Sequence, residues 1–243
     1  MPQPLTFRKQ DQTEISEIFS SLQGEGPYLG VKQIFVRFGR CNMHCVYCDE
    51  LAKMKEESFQ IYDLDGLIAE VMEMEREKGK HHSISLTGGE PLLYAPFLVH
   101  FMPLLKEKGF TLYLETNGTL PEALNSVLEY SDIIAMDLKP ASSTGDRSFE
   151  AQHQKFLEIA SRKEVFIKVV ITPDTREDEI RRCVEIVRSV NANIPFIFQP
   201  LSDAFGINTQ ALQLIEGFFF NVAKKHLSDV RVIPQMHKIW GVR

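Results

Sequence analysis

Cysteine is scarce in this 243-residue chain: there are four, and three stand together in Cys41-Asn42-Met43-His44-Cys45-Val46-Tyr47-Cys48. Thiols so few and so clustered exclude a secreted disulfide framework and point to a reducing cytosol. No run of 18 apolar residues exists, so no membrane-spanning helix is expected. The start, Met1-Pro2-Gln3-Pro4, lacks a basic region followed by an apolar core, so no signal peptide is expected. Positive charge is not in excess either. The formal net charge is −6, which argues against a broad nucleic-acid face and leaves room for a local basic pocket. Low-complexity stretches, linkers and repeats of fixed period are also missing. What remains is ordinary core material, 44% hydrophobic and 25% charged, in a length that suits one domain over residues 1–243.

That material alternates between strand and helix patterns. Short apolar runs predict strands at Gln33–Phe38, Ser83–Leu86, Phe110–Leu114, Ile133–Met136, Val165–Ile171, Phe196–Phe198 and Val230–Ile233. Helix patterns lie between them. Asp63–Gly79 has Asp63 as a cap, Gly79 as a stop, and a stripe of Leu64, Leu67, Ile68, Val71 and Met72. Further helices are expected at Pro96–Lys108, Pro121–Tyr130 (proline in the first turn), Phe149–Arg162, Arg176–Val190 and Thr209–His226. Strands alternating with helices predict an α/β fold with a parallel sheet, an incomplete (β/α)6-type barrel.

The unusual residues follow the carboxyl ends of predicted strands, the edge on which parallel α/β folds build their sites. They are the cysteine loop, Thr87-Gly88-Gly89-Glu90-Pro91, Glu115-Thr116-Asn117-Gly118, Asp137-Leu138-Lys139 and Gln199-Pro200-Leu201-Ser202. Three thiolates leave one position of a four-ligand metal centre open, and they can hold three corners of a cuboidal iron–sulfur cluster. The competing reading is zinc, with His44 or Asp49 as fourth ligand. Cys183 lies inside a predicted helix and reads as core. Gly88-Gly89 can let backbone approach a ligand or simply turn. Glu90 can orient the strand edge or meet an ammonium. Asp137-Leu138-Lys139 and Gln199–Ser202 can hold ribose hydroxyls or an adenine edge, or make ordinary strand-end hydrogen bonds. Ser20-Ser21-Leu22-Gln23-Gly24-Glu25-Gly26 can present an amide and bare backbone to a planar heterocycle, or form a tight turn. For His237 taken alone, a core or surface histidine is the default.

Cys41-x-x-x-Cys45-x-x-Cys48, with aromatic Tyr47 before the last cysteine, resembles the signature of the radical S-adenosylmethionine superfamily. With Leu22–Gly26, Arg37 four residues before Cys41, Thr87-Gly88-Gly89, Glu115–Gly118 and Gln235-Met236-His237-Lys238 in order, the chain resembles the 7-carboxy-7-deazaguanine synthase family from about Glu14 to Trp240. The resemblance implies a 4Fe–4S cluster on Cys41, Cys45 and Cys48, the catalytic centre, whose open iron binds S-adenosylmethionine. It implies radical ring contraction of 6-carboxy-5,6,7,8-tetrahydropterin with loss of ammonia, a lyase reaction of queuosine biosynthesis. In the superfamily a Gly-Gly-Glu segment contacts the methionine amino group of the cofactor. Tyr47, Cys48, Asp49, Gly89, Asp137, Leu138, Lys139, Gln199, Pro200, Leu201 and Ser202 match the cofactor site. Leu22, Gln23, Gly24, Arg37, Thr87, Glu115 and His237 match pterin contacts, with Arg37 as the carboxylate clamp. Magnesium, a flavodoxin or ferredoxin as electron donor, and a homodimer are also implied.

The chain departs from the family's pattern in places. Threonine or serine usually follows the Cys-Asp pair and binds magnesium; here the position holds Glu50, a charged oxygen ligand that can bind magnesium directly or crowd the substrate carboxylate. Asp137-Leu138-Lys139 stands where many relatives have Ser-Pro-Lys, and it resembles enzymes that activate glycyl-radical partners. Some relatives place their terminal carboxylate in the site, whereas here three residues follow Trp240. The alternative functions are therefore a glycyl-radical-enzyme activase and a non-catalytic zinc module.

Overall fold

The computed structural model describes residues 11–48, 59–203 and 206–242. Among them, nine strands form one sheet: β1 (Gln12–Leu22), β2 (Lys32–Phe38), β3 (Gln60–Asp63), β4 (Ser83–Gly88), β5 (Leu112–Thr116), β6 (Ile133–Leu138), β7 (Glu164–Ile171), β8 (Phe196–Pro200) and β11 (Val230–Val232). A small hairpin, β9 (Ser202–Asp203) and β10 (Gly206–Ile207), is separate. The sheet order is β11-β8-β7-β6-β5-β4-β2-β1-β3. Every pairing from β2 to β11 is parallel, while β1 and β3 add an antiparallel edge. The two outer strands do not pair, so the barrel stays open. This is the incomplete barrel the alternating pattern leads one to expect.

The helices α1 (Leu64–Lys78), α2 (Ala95–Glu107), α3 (Pro121–Val127), α5 (Glu150–Ala160) and α6 (Glu177–Asn191) follow the predicted order, with a short α4 (Ala141–Thr144) between. Asp63 caps α1 by accepting from Gly66 N at 2.8 Å, and Gly79 (φ 81°) ends it. Leu67 and Val71 are buried, but Met72 is 39% exposed. One residue past Val71 is a 100° rotation, which carries Met72 off the expected stripe. The expected last helix is α7 (Thr209–Leu214), a π turn (Ile215–Phe219) and α8 (Phe220–Lys224), ending short of His226. A short α9 (Met236–Trp240) follows β11. Strands β1 and β3 are absent from the sequence reading. In β1 the run Ser16-Glu17 and the pair Ser20-Ser21 break the apolar alternation, and a register shift lies between Ile15 and Glu17.

Period-two alternation gives the sheet two unlike faces. Ile34, Val36, Ile84, Leu86, Leu112, Leu114, Ile134 and Met136 face the helices and form the main core. On the inner face, Tyr113, Ile133, Ala135, Phe166 and Ile197 pack with Tyr28 and Ile233. This second cluster fills one end of the half-barrel, so the space beyond it opens at the carboxyl ends of the strands.

Candidate active site

The same alternation, continued one step, turns the inner face polar. Arg37 of β2, Thr87 of β4, Glu115 of β5, Asp137 of β6, Lys168 of β7 and Gln199 of β8 surround a cavity of about 240 Å3. Arg37 is in register with Thr87, and Asp137 with Lys168.

The cysteine loop closes one side of this cavity. Met43, Cys45 and Phe149 are buried together, with Cys41, Tyr47 and Cys48 packed around them. The loop is tied down by Val46 N to Thr144 O (2.9 Å) and by Asn42 Nδ2 to Thr119 Oγ1 (2.8 Å). Asn117 Nδ2 donates to Asn42 Oδ1 at 2.8 Å and lies 3.9 Å from Cys41 Sγ. All three cysteines are free thiols and line the cavity. Burial pushes the Cys41 thiol up to about 11 and raises Cys45 as well. Such groups become thiolates at neutral pH when a metal takes the proton's place. A cuboidal cluster would take one thiolate at each of three corners, and Cys41, Cys45 and Cys48 all line the cavity. Gln199 adds a second sign of a missing ligand: its Oε1 is buried without a hydrogen-bond partner among the described residues, on a side chain that lines the cavity.

The Gly-Gly pair has a packing reason. Gly88 has φ 118°, and a Cβ there would lie 2.3 Å from the Phe38 backbone. A Cβ on Gly89 would lie 2.0 Å from Arg40 O. The end of β4 thus runs directly against the chain entering the cysteine loop, held by Gly89 N to Phe38 O (3.0 Å) and Glu90 N to Arg40 O (2.7 Å). Glu90 is fully buried and accepts from Leu92 N, Thr116 Oγ1 and Asn117 N at 3.0, 2.9 and 2.7 Å. It orients the strand edge, and it does not line the cavity as an ammonium ligand would.

In the same cavity, Glu115 Oε1 accepts from Gln23 Nε2 (2.9 Å) and Ser85 Oγ (3.0 Å), and Oε2 from Thr87 Oγ1 (3.0 Å). Gln23 also donates to Gln33 Oε1 at 2.9 Å, and its own Oε1 accepts from Glu25 N at 3.0 Å. Arg37 stands 5.6 Å over the Phe19 ring, 3.4 Å from Glu17 Oε2, with its side chain 19% exposed. His237 backs onto Gly24, where Met236 N donates to Gly24 O at 2.9 Å. Lys139 Nζ donates to Asp137 Oδ2 at 2.8 Å and lies 5.5 Å from the centre of the Tyr47 ring.

Of the residues singled out from sequence, Leu22, Gln23, Gly24, Arg37, Thr87, Glu115 and His237 all line this cavity, as do Tyr47, Gly89, Asp137, Lys139, Gln199 and Leu201. Leu138, Pro200 and Ser202 do not. Leu138 points to the helix side and is core, and the Ser202 hydroxyl donates to Pro200 O at 3.3 Å. Alternation explains Leu138: its neighbours Asp137 and Lys139 take the cavity side. Asp49 and Glu50 lie outside the described residues. Cys183 is buried in the main core, as its helix position suggests.

Residues the sequence reading did not assign also belong here: Glu25, Lys168, Asn117 and Gln235. Lys168 had a signal, since a charged residue within an apolar strand run needs a buried partner. It donates to Glu25 Oε2, while Gln235 Nε2 donates to Oε1 at 2.9 Å. Burial alone would push the Glu25 carboxyl up. The charge of Lys168 and hydrogen bonds from Lys168 and Gln235 outweigh burial and hold it at about 2.

Comparison with known proteins identifies the family and the fold. The radical SAM superfamily model matches residues 35–188. A 7-carboxy-7-deazaguanine synthase from Geobacter sulfurreducens is 40% identical, over 94% of this chain and 97% of the relative. A protein of the same name from Archaeoglobus fulgidus is 33% identical, over 96% of this chain and all of the relative, 100%. The crystal structure of QueE from Escherichia coli shares the fold, with a TM-score of 0.62 at 21% identity, covering 92% of this chain and 94% of that one. No helix among the described residues is long and apolar enough to cross a membrane. Three cavity-facing thiols on a fold of this type, and relatives matched along nearly their whole length, make the chain a member of the 7-carboxy-7-deazaguanine synthase family within the radical SAM superfamily.

Proposed function

We propose that this chain converts 6-carboxy-5,6,7,8-tetrahydropterin to 7-carboxy-7-deazaguanine with loss of ammonia, in 7-deazapurine (queuosine) biosynthesis. One observation carries the reading: a single cavity is lined by three free thiols together with a half-buried carboxylate, Glu115, and a guanidinium, Arg37. A glycyl-radical activase has no use for that last pair.

Cys41, Cys45 and Cys48 are the residues to hold a 4Fe–4S cluster. A cluster held there with S-adenosylmethionine would supply the electron for cleaving the sulfonium and hence the radical chemistry for hydrogen abstraction at C6 of the pterin. The chain's own residues bind, orient and exclude water. Lys139 and Asp137, paired beside Tyr47, offer a cation and an acceptor to the cofactor's carboxylate and hydroxyls. Gln199 Oε1 offers an acceptor to an amino group or hydroxyl. Glu115 already accepts three protein hydrogen bonds. A carboxylate has room for roughly four, so one acceptor site remains for a ring N–H. Arg37 takes the substrate carboxylate with its planar fork. Phe19 and Phe35, stacked with centroids 5.0 Å apart, form the apolar flank that keeps this end of the cavity dry.

The proposal extends to magnesium at the substrate carboxylate with Glu50 as ligand, and to a cytoplasmic location. Val46, 73% exposed, brings the cysteine loop to the surface, where a flavodoxin or ferredoxin can approach. Ile239, Trp240 and Val242 supply exposed apolar surface for a second copy in a homodimer.

Product analysis tests the reading. Anaerobically prepared, reduced protein with S-adenosylmethionine and the tetrahydropterin should yield the deazapurine acid and ammonia without a second protein substrate. Cofactor cleavage with the pterin recovered intact would overturn it.

A further inference from the structure

Lys168 is one of the two amino groups that the described residues bring to the cavity wall, and the roles proposed so far make no use of it. It sits midway along β7, where its nearest inner-face neighbours on the strand are Phe166 and Val170. Its side chain is 13% exposed. An ammonium in such a place costs desolvation, which its partners must offset, and an apolar side chain would fill the strand position more simply.

The partners are what distinguish it. Lys168 Nζ donates to Glu25 Oε2 and lies 3.4 Å from Asp137 Oδ1. Glu25 belongs to the loop after β1 and is held by Gln235, two residues from His237. Asp137 is held at its other oxygen by Lys139, whose Nζ is 3.4 Å from the Tyr47 hydroxyl. A line of alternating charge therefore runs from the C-terminal segment to the cysteine loop. Lys168 is its midpoint, one ammonium shared between a carboxylate of the adjacent strand, Asp137, and one of the loop after β1, Glu25.

We propose that Lys168 is a positioning residue that couples the two halves of the site, so that filling the S-adenosylmethionine half tightens the pterin half and the reverse. The inference rests on the functional reading above. A ligand hydroxyl that donates to Asp137 weakens that carboxylate's hold on Lys168. The ammonium then leans toward Glu25 and fixes it beside Gln235 and His237. A pterin bound against Gln235 and His237 holds Glu25 in place against Lys168 in turn, which leaves Asp137 free to accept from the cofactor hydroxyl. Because the coupling is a free energy between two binding events, it is reciprocal.

The test is equilibrium binding by calorimetry to the cluster-loaded protein without reductant, where both ligands bind and neither reacts. Pterin affinity is measured with and without saturating S-adenosylmethionine for wild type, Lys168→Met and Lys168→Arg. Wild type should bind the pterin about tenfold more tightly when S-adenosylmethionine is present, within the usual span of coupled sites. Lys168→Met should bring that ratio to about one, and Lys168→Arg should restore part of it. Should Lys168→Met not fold or not load its cluster, Asp137→Asn serves instead, because it weakens the same midpoint from the cofactor side and should also lower the ratio. A wild-type ratio near one, or a ratio unchanged in the variants, overturns the coupling role alone. Failure of wild type to bind the pterin at all overturns the functional reading and the inference with it.

Discussion

Gly24 lies directly beneath His237: a methyl group on Gly24 would stand 2.5 Å from His237 Nδ1 and 2.7 Å from its backbone nitrogen. The glycine is required by this contact, since it carries no positive φ. It lets the C-terminal segment close on the loop after β1 and brings His237 and Gln235 to the cavity. Gly24→Ala should therefore displace α9 by about an ångström or more and lower kcat/KM by about 100-fold, the usual cost of such a misplacement. Melting temperature and iron content should change little. Full activity in this variant would mean that His237 contributes nothing at its observed position.

Arg37→Ala should weaken pterin binding by about 100-fold, the scale of losing a charge-assisted pair in a closed site. Arg37→Lys should recover little, because an ammonium lacks the two-pronged geometry. S-adenosylmethionine affinity, measured separately, should stay near wild type. Equal loss of both affinities would point to a collapsed wall instead of a lost clamp.

Cys41→Ala should remove cluster binding and all turnover. Iron and sulfide analysis after anaerobic reconstitution gives the result directly. The fold should survive, since Cys41 lies at the edge of the small Met43–Cys45–Phe149 cluster and outside the main core. Cys183→Ala, by contrast, should leave iron content unchanged and lower stability by about 1–2 kcal/mol through the lost packing of its sulfur.

Glu50→Ala should raise the magnesium concentration needed for half-maximal turnover by about tenfold or more, as the loss of one charged oxygen ligand implies. Titration of turnover against magnesium is the measurement. An unchanged curve would remove Glu50 from the ligand set.

His153 gives a stability prediction with a definite sign. Burial holds its imidazole at about 4 against an ordinary value of 6.5, with a hydrogen bond to Asn117 O (3.1 Å) opposing the shift. The folded state thus prefers the neutral ring. Its contribution is fully present above pH 6.5 and is lost as the pH falls from 6.5 to 4. A shift of this size corresponds to about 3 kcal/mol between those limits. His153→Gln should flatten that part of the stability curve, measured as the difference in urea unfolding between variant and wild type at each pH. Parallel curves would mean that His153 is not the titrating group.

Much of this molecule was legible before any coordinates. The parallel strands from β2 to β11, with the helices between them, follow from apolar runs separated by amphipathic segments with clear stops. Glu115 and Gln199 were marked by their place after predicted strands, whereas Leu22–Gly24, Arg37 and Thr87 were assigned as pterin contacts through the family resemblance, with the motifs in their order along the chain. β1 was not legible, because its alternation is interrupted by serines and by the Ile15/Glu17 register shift. Leu138, Pro200 and Ser202 were carried along with adjacent motif residues. A motif is contiguous in sequence, but a strand sends successive side chains to opposite faces. Lys168 was visible as a charge in an apolar strand, yet its partners Glu25 and Asp137 are far from it in sequence.

The amino-acid sequence alone determined which elements form, where the thiols stand, and that polar groups gather at the strands' carboxyl ends, because these depend on local periodicity and on spacing within one loop. Tertiary structure alone decided that Lys168 bridges Glu25 and Asp137, that Glu90 orients the strand edge, and that His237 closes over Gly24. Those contacts join residues from distant parts of the chain, and the order and register of the sheet, which no local pattern encodes, bring them within hydrogen-bonding reach.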